Sequence, residues 1–371
     1  MRFSAALLGV LALPALVCAA ATASPANFAG SNLYYAAGLS SSQRATLLKG
    51  LQSANMKVLR VWIGAQSGSQ KGTSIPAFPD VEPSTVCNGD TSCYNPQILN
   101  MLDDLMVDAK SYGVKLLITM HSFNALEAND VYGQRWGTGY FYEQADAQAA
   151  FDKRLQYIVN HVHKTLGKPW KELSDYIIGF EAENEAMIGK GEAYIQAHTS
   201  WQCDRAATIK SALGSNSGIL VFTGGESWVS ESVQSAWLQC SGIDVISLHA
   251  YGVGDFATSN LQTYVNMAKS AGKRMIMEEW GACYFSTENN NCPQGDVLDT
   301  DTRNSNIKTW AAQVNAAGLS WLYWQVLPNN DPHEGYDYEI GIGEASWGTL
   351  QAAAKNAYST TGAFDFSGYL S

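Results

Sequence analysis

The sequence lacks several features by which other classes of protein are recognised. Beyond residue 23 it holds no run of about 20 consecutive apolar residues, the length that a membrane-spanning helix needs. No two cysteines have Cys-x-x-Cys spacing, so neither a zinc ribbon nor a thiol redox motif is expected. The Asn-x-Ser/Thr signal for N-glycosylation is absent. No short repeat, block of like charges or Ser/Thr/Pro-rich linker occurs, which argues for one domain without an appended module.

Basic residues are also scarce. Lysine and arginine number 23 against 34 acidic residues, which gives a formal charge of −11 at pH 7. Such a chain repels nucleic acid and anionic membrane surfaces, so neither is expected as a partner, whereas a neutral substrate tolerates the charge. Aromatic residues are frequent, with 11 Trp and 18 Tyr. Most fill the core, but Trp also offers a flat, rigid surface on which the apolar face of a sugar ring can stack.

The first 23 residues have the layout of a secretory signal peptide. Arg2 precedes an apolar run over 5–18, which is too short to span a bilayer, and small residues lead to an Ala-Thr-Ala site at 21–23. We therefore expect a signal peptide over 1–23 and a secreted, extracellular monomer whose single domain covers 24–371.

Six cysteines follow that site, and an even number in an exported protein indicates disulfides. Fifteen connectivities are open to six cysteines. The close pairs Cys87/Cys93 and Cys283/Cys292 would each close one loop, leaving Cys203 with Cys240.

Short apolar runs alternate with longer amphipathic stretches. The runs predict strands over 27–33, 57–63, 114–120, 176–181, 219–223, 244–248, 274–278 and 320–325. The stretches predict helices over 41–54, 96–112, 146–166, 199–213, 231–238, 261–271, 302–317 and 345–358. Eight strands alternating with eight helices indicate a single-domain α/β fold, the (β/α)₈ or TIM barrel. Segments 64–95, 122–145 and 283–301 are long enough to be functional loops, and 328–337 would complete the rim.

Polar and aromatic residues gather at the predicted strand ends, where such a barrel places its active site. This favours the barrel over an open, doubly wound sheet. The residues, in strand order, are Arg60, Trp62, His121, Asn184, Glu185, His249, Tyr251, Glu278, Glu279 and Trp324. Strands four and seven face each other across a barrel, so carboxylates at their ends point into one cleft. Two such carboxyl groups can cleave a glycosidic bond, one as proton donor and one ionised, with an arginine holding the ionised partner.

The motifs resemble those of glycoside hydrolase family 5, in clan A. Asn184-Glu185-Ala186 is similar to the Asn-Glu-Pro motif of the clan, and Glu279-Trp280-Gly281 to its Glu-aromatic-Gly motif. With an Arg-Val-Trp at strand two, a His-x-Tyr after strand six and a Trp-Gln in strand eight, the pattern is most similar to fungal endo-β-1,4-mannanases. Ala186 and Glu183 depart from the mannanase pattern, and His121 looks more like the histidine of family 5 cellulases.

The resemblance implies a retaining endo-β-mannanase acting on plant or cell-wall polysaccharide. Glu185 would be the general acid/base and Glu279 the nucleophile, about 5 Å apart. The substrate-binding set would be Arg60, Trp62, His121, Asn184, His249, Tyr251 and Trp324. Within it, Asn184 would bind the sugar 2-hydroxyl, His249 and Tyr251 would tune the carboxylates, and Trp324 would form a subsite floor. The mechanism needs no metal and no organic cofactor.

Alternatives remain open at these positions. Glu181, Glu183 and Glu185 share a strand face by parity, and only the preceding Asn184 favours Glu185. Glu278 is interpreted as a structural charge. His161 and His163 are placed two apart on a predicted helix, so they do not face the same way and a metal site is not expected. The run over 225–229 lacks the last Gly of a serine-esterase motif.

Aromatic wall and platform candidates are more numerous. Trp136 is the preferred wall residue, and the platform candidates are Tyr34, Trp62, Trp136, Trp228 and Trp280. Three functions compete: an endo-acting mannanase, a β-glucanase or exo-acting, disaccharide-releasing β-glycosidase on the same barrel, and an inactive barrel that binds polysaccharide.

Overall fold

The computed structural model describes Met1 and residues 24–370. The predicted signal peptide over 1–23 therefore lies, except for its first residue, outside the described residues. Among the described residues, no helix has the length and apolar character needed to cross a membrane.

Eight parallel strands form a closed barrel, in which the last strand pairs with the first through Ala29↔Trp321. The strands are β1 (Ala29–Asn32), β2 (Val58–Trp62), β3 (Lys115–Thr119), β4 (Ile177–Glu181), β5 (Leu220–Phe222), β6 (Val245–Ala250), β7 (Arg274–Trp280) and β8 (Trp321–Tyr323). A small parallel pair follows, β9 (Val326–Leu327) and β10 (Ile340–Gly341). The predicted (β/α)₈ barrel is confirmed, and all eight predicted runs hold a strand. Two of them, β6 and β7, extend two residues further and so include His249 and Glu279.

Helices connect the strands and cover the barrel. They are α1 (Ser41–Ser53), α2 (Ser84–Cys87), α3 (Gln97–Ser111), α4 (Phe123–Glu127), α5 (Val131–Glu143), α6 (Ala145–Val159), α7 (Glu192–Ala197), α8 (Thr199–Leu213), α9 (Val229–Ser232), α10 (Ser235–Gln239), α11 (Thr258–Ser270), α12 (Thr300–Ala316), α13 (Trp347–Ala357) and α14 (Ser367–Leu370). Local sequence sets their limits. At α1, for example, Ser40 and Gln43 form a reciprocal capping box, which satisfies two otherwise free N–H groups.

Burial on both faces of the sheet explains why the strands could be recognised in the sequence as apolar runs. Apart from Arg274 at the start of β7, every residue of β1 to β8 is buried, because a parallel sheet covered by helices has no solvent-facing side. Helices need only one apolar face. In α3 that face is made of Ile98, Leu99, Leu102, Leu105 and Met106.

Three predictions about local structure were wrong. The helix predicted over 146–166 ends at Val159, because the chain then turns to bring His161 Nε2 and the Lys164 amide within 3.1 and 2.8 Å of the buried Asp103 carboxylate. The helix predicted over 231–238 is two short helices, α9 and α10. The loop predicted over 122–145 is mostly helical, since it holds α4 and α5.

Three disulfides join the six described cysteines. Cys87 pairs with Cys93, Cys203 with Cys240, and Cys283 with Cys292, at Cα–Cα distances of 5.2, 5.7 and 5.3 Å. The expected disulfides are thus confirmed, in the pairing that sequence proximity favoured. Two of them close single loops next to the barrel mouth, after β2 and β7.

Candidate active site

Glu185 lies in the turn that follows β4. Its backbone has a φ of 51°, a conformation that costs energy for a residue with a side chain. Its amide donates a 3.1 Å hydrogen bond to the carbonyl of Gly224, after β5. A Cβ at Gly224 would lie 2.1 Å from the Glu183 carbonyl oxygen, and one at Gly225 would lie 2.2 Å from the His249 ring. The two glycines therefore let the end of β5 approach both the Glu185 turn and His249.

Glu279 stands on β7, beside His249 of β6 in the strand register. Its carboxylate is almost fully buried and accepts hydrogen bonds from Arg60 Nη1 at 2.6 Å and Tyr251 Oη at 3.0 Å. Burial raises the pKa of Glu279, while the positive charges of His249 and Arg60 and the Tyr251 hydrogen bond oppose that rise. The two donors and the charge of His249 thus offset part of the cost of burying this carboxylate in ionised form.

His249 lies between the two glutamates. Its Nδ1 is 2.9 Å from Glu185 Oε1 and 3.6 Å from Glu279 Oε2, and its Nε2 is 3.3 Å from Glu278 Oε2. Burial alone would lower the pKa of His249, but Glu279, Glu185 and Glu278 outweigh it and raise the pKa to about 10. His249 is therefore an imidazolium at neutral pH. One oxygen of each catalytic candidate and a nitrogen of His249 lie within 4.8 Å of one another.

Arg60 is buried on β2 and contacts carboxylates on two other strands, β4 and β7. It donates to Glu279 and, from Nε at 2.8 Å, to Glu181, and it lies 3.3 Å from Glu278 Oε2. Burial and the charge of Glu278 raise the pKa of Glu181 to about 8 against the opposing charge of Arg60. Burial also opposes ionisation of Glu278, but Arg60, His249 and Ser247 outweigh it and lower the pKa of Glu278. Glu278 is fully buried, and its two carboxylate oxygens lie 2.8 Å from Ser247 Oγ and 3.3 Å from His249 Nε2.

Asn184 connects this charge network to the acid/base candidate. Arg60 Nη2 donates to its Oδ1 at 2.9 Å, which orients the amide group so that Nδ2 lies 3.4 Å from Glu185 Oε2. The backbone amide of Asn184 also donates a 3.0 Å hydrogen bond to the carbonyl of His121, just after β3. Asn184 is therefore held next to Glu185 through both its side chain and its backbone.

His121 does not lie in the cleft, contrary to its predicted place among the substrate-binding residues. Its side chain is fully buried, and its two ring nitrogens lie 2.7 Å from Glu183 and 2.7 Å from Asp130. Burial lowers the pKa of His121, but the two carboxylates outweigh this effect and raise it to about 10. Glu183 also accepts a 2.9 Å hydrogen bond from Tyr142. His121 and Glu183, both departures from the mannanase pattern, thus form one ion pair that supports the turn carrying Glu185.

Three aromatic residues cluster beside the carboxylates. Trp324 is half-buried, stacks on Tyr34 with ring centroids 6.1 Å apart, and meets the edge of Trp62 at 5.5 Å. The guanidinium of Arg60 lies 4.3 Å from the Trp62 ring, which ties the aromatic cluster to the charge network. Trp324 keeps part of its ring exposed, which a side chain that stacks on a sugar ring requires.

The other aromatic candidates divide into two kinds. Trp280 is fully buried against Trp321 and Tyr323, so it is a core residue. Trp136 is buried and stacked on Tyr132, so it is not the wall residue that the sequence suggested. Trp228, after β5, is 48% exposed and remains available at the rim.

Sequence reasoning missed Glu226, which follows the glycine pair after β5. Its side chain is buried, and its Oε2 has no hydrogen-bond partner among the described residues. Burial, together with the charges of Glu185 and Glu183, raises the pKa of Glu226 well above its usual range. Its only signal in the sequence was the run over 225–229, in which Ser227 contacts no histidine in the described structure.

The chain has relatives among known proteins. The family model Cellulase (glycosyl hydrolase family 5) matches residues 19–330. The mannan endo-1,4-beta-mannosidase F of Aspergillus fumigatus is 24% identical over 344 residues, covering 86% of this chain and 72% of that protein.

Solved structures share the fold at lower identity. The endo-1,4-beta-mannanase of Rhizomucor miehei superposes with a TM-score of 0.65 at 19% identity, over 92% of this chain and 97% of that one. The endo-beta-1,4-mannanase of Thermotoga petrophila gives 0.64 at 18%, over 91% and 78%. With the family match over most of the sequence, the barrel and its strand-end motifs, this chain belongs to glycoside hydrolase family 5.

Proposed function

We propose that this protein is a retaining endo-β-1,4-mannanase in which Glu279 is the nucleophile and Glu185 the general acid/base. The observation that carries the proposal is the meeting of these two carboxylates at the barrel mouth, with oxygens within 4.8 Å of each other. Retaining enzymes have carboxyl groups about 5–5.5 Å apart, whereas inverting enzymes leave roughly 6.5–9.5 Å for a water molecule. The short separation supports direct attack by a carboxylate.

In the first step an oxygen of Glu279 attacks the anomeric carbon, and the bond from that carbon to the leaving oxygen breaks. Glu185 gives its proton to the leaving oxygen, which departs as an alcohol. In the second step Glu185 takes a proton from water, the water oxygen attacks the anomeric carbon, and Glu279 leaves. Glu185 is thus protonated again, and both carboxyl groups return to their starting state.

The groups around Glu185 and Glu279 suit the charges that these two residues carry during the two steps. Arg60 and Tyr251 donate to different oxygens of Glu279, so they hold the carboxylate ionised and oriented before attack. The imidazolium of His249 stands next to both glutamates. It stabilises Glu185 as a carboxylate once that residue has lost its proton, which makes proton donation easier. Asn184 lies beside Glu185, where it would bind the sugar 2-hydroxyl.

The choice of mannan rests on the relatives, since the Aspergillus, Rhizomucor and Thermotoga proteins are all described as β-1,4-mannanases or mannosidases. The cluster of Tyr34, Trp62 and Trp324 supports a carbohydrate subsite next to the nucleophile. A neutral polysaccharide also suits an acidic chain.

Export of the protein is the second part of the proposal. A signal peptide over 1–23 and a catalytic domain over 24–371 agree with three disulfides, since such bonds persist in oxidising compartments. N-terminal sequencing of secreted protein would place the cleavage site.

Product analysis tests the substrate. Purified protein would be incubated with galactomannan, glucomannan, carboxymethylcellulose, β-1,3- and β-1,6-glucans, galactan and an aryl disaccharide. We expect a ladder of manno-oligosaccharides from the two mannans. Disaccharide as the sole early product would instead indicate exo action, and cleavage of only another β-glycan would refute the mannanase assignment.

A further inference from the structure

The loop between β9 and β10 carries a second group of charged side chains, away from the catalytic glutamates. This Asp-His-Asp cluster consists of Asp331, His333 and Asp337. His333 Nδ1 is 2.7 Å from Asp337 Oδ2 and 3.6 Å from Asp331 Oδ2. One ligand atom from each of the three residues lies within 4.8 Å of the others, so the three side chains converge on one point.

Two buried oxygens of the cluster have no protein donor. The side chains of Asp331 and Asp337 are both 0% exposed. Asp331 Oδ2, which points at His333, and Asp337 Oδ1 have no hydrogen-bond partner among the described residues. A buried carboxylate oxygen without a donor is costly. The arrangement therefore favours a further cation or a shared proton beside His333.

The fixed charges nearby increase this need. Glu344 approaches from the other side, with Oε1 2.8 Å from the Asp331 amide and 3.9 Å from His333 Nε2. Lys71 is paired with Glu339 at 3.0 Å, and Arg303 donates to the main-chain carbonyls of Ala282 and Glu339. Within the described structure, neither aspartate of the cluster forms an ion pair with lysine or arginine.

We propose that the Asp-His-Asp cluster binds a divalent transition-metal ion, best matched by Zn²⁺. The ligands are one oxygen each from Asp331 and Asp337 and Nδ1 of His333, with water in the fourth position. A ring nitrogen with two carboxylates suits zinc, whereas Ca²⁺ and Mg²⁺ prefer oxygen ligands alone. Tetrahedral zinc places such ligand atoms roughly 3.3 Å apart. The two distances to Nδ1, 2.7 and 3.6 Å, bracket that value.

The surroundings of His333 fit an ion site. Its ring stacks on Tyr284 with centroids 3.5 Å apart and planes 5° from parallel, which fixes the direction of Nδ1. A cavity of about 230 Å³, lined in part by Tyr284, His333 and Glu344, opens beside the cluster. It reaches the cluster at His333 and gives an ion a route towards that ring.

The position of the cluster indicates a structural role. The Tyr284 amide donates to the Asp337 carbonyl at 2.8 Å, which joins the loop to the segment closed by the Cys283–Cys292 disulfide. The next residue, Tyr338, packs on Tyr251 at 4.6 Å, and Tyr251 donates to Glu279. A bound ion would thus rigidify one wall of the cleft without taking part in the chemistry.

The test is titration of the EDTA-dialysed, metal-free protein with ZnCl₂ at pH 7 by calorimetry, together with its thermal midpoint. We expect one Zn²⁺ per chain and a higher Tm on binding. Loss of a residue that only supports a metal ligand weakens metal binding about 10–100-fold. Removing one of the ligands themselves should weaken zinc binding by at least as much. His333→Ala and the isosteric Asp331→Asn should both show this loss, and circular dichroism in EDTA would verify that each variant is folded.

Two control variants locate the ion. Glu185, His249 and Glu279 are the other group of described residues whose side chains could hold a metal ion. Glu185→Gln changes that group and should keep full zinc affinity. His198→Ala removes a partly exposed histidine elsewhere and should do the same. Equal affinity in the wild type and Asp331→Asn, or no binding by the wild type, would overturn the proposal. The latter result would leave the two aspartates sharing a proton. Zinc binding is measured without substrate, so its outcome is independent of the mannanase assignment.

Discussion

His249 Nδ1 lies 2.9 Å from Glu185 Oε1, and the same ring is held from behind by Glu278 at 3.3 Å. The acid/base candidate is therefore paired with a cation that the protein has buried at considerable cost. This pairing couples the charge state of one glutamate to that of the other, because His249 faces both.

The charge of His249 leads to a prediction about stability and pH. Its pKa is raised from 6.5 to about 10, so its contribution to folding is fully present below pH 6.5 and is lost as the pH rises through 10. The Tm of the wild type should exceed that of His249→Gln most clearly near pH 6, and the gap should narrow towards pH 10. A gap that stays constant over this range would mean that His249 is neutral in the folded protein.

Arg60 is expected to be one of the most important residues for stability. Arg60→Met leaves Glu181, Glu278 and Glu279 without their shared cation in the interior. Loss of one partner of a buried ion pair costs roughly 3–5 kcal/mol. Denaturant unfolding should show a loss of about this size.

Arg44→Met is the matched control for Arg60. Arg44 pairs with Asp108 at 2.6 Å nearer the surface, where the Arg44 side chain is 16% and the Asp108 side chain 40% exposed. Ion pairs that solvent reaches contribute much less than fully buried ones, so this variant should lose far less stability than Arg60→Met. Similar losses in the two variants would contradict the role assigned to Arg60.

Substitution of Glu185 should affect substrates according to their leaving groups. Glu185→Ala removes the proton donor, and general acid catalysis contributes about 10²–10⁴-fold. Turnover of mannan should fall by about this factor, while a dinitrophenyl glycoside, whose leaving group needs no proton, should still form its covalent intermediate at nearly the wild-type rate. Steady-state and burst kinetics on both substrates measure the difference. Equal losses would show that Glu185 is not the acid.

Gly225 is predicted to be intolerant of any side chain. A Cβ there meets the His249 ring at 2.2 Å, and its φ is +68°. Gly225→Ala should therefore displace His249, lower activity and cost more than about 1 kcal/mol of stability. Gly254→Ala is the control, since its Cβ would meet nothing within 4 Å. Wild-type activity in Gly225→Ala would show that the position of His249 is not critical.

The barrel could be predicted from the sequence because its strands are buried on both faces and so form continuous apolar runs. Glu185 and Glu279 could be selected because Asn184 precedes one and Trp280-Gly281 follows the other. The residues at which helices end were harder to predict from the sequence. The end of α6 at Val159 depends on hydrogen bonds to Asp103, more than fifty residues earlier in the chain, and a periodicity within one helix does not contain that information.

The supporting network of the site was the part that sequence could not provide. His121 was expected among the sugar ligands because it stands at a strand end. Its two ring nitrogens instead contact Asp130 and Glu183, and Glu183 follows a different strand, β4. Glu226 was hidden for the same reason, since its neighbours Glu183 and Glu185 are distant in sequence. Position at the barrel mouth was predictable, whereas the direction of each side chain was not.

The most direct test of the mechanism is to trap the covalent intermediate with a 2-deoxy-2-fluoro-mannoside that carries a good leaving group, followed by peptide mass spectrometry. A retaining mechanism with Glu279 as nucleophile predicts one sugar per chain, attached to Glu279. A label on Glu278 or Glu181, or active enzyme that acquires no label and inverts the anomeric configuration of its product, would contradict it.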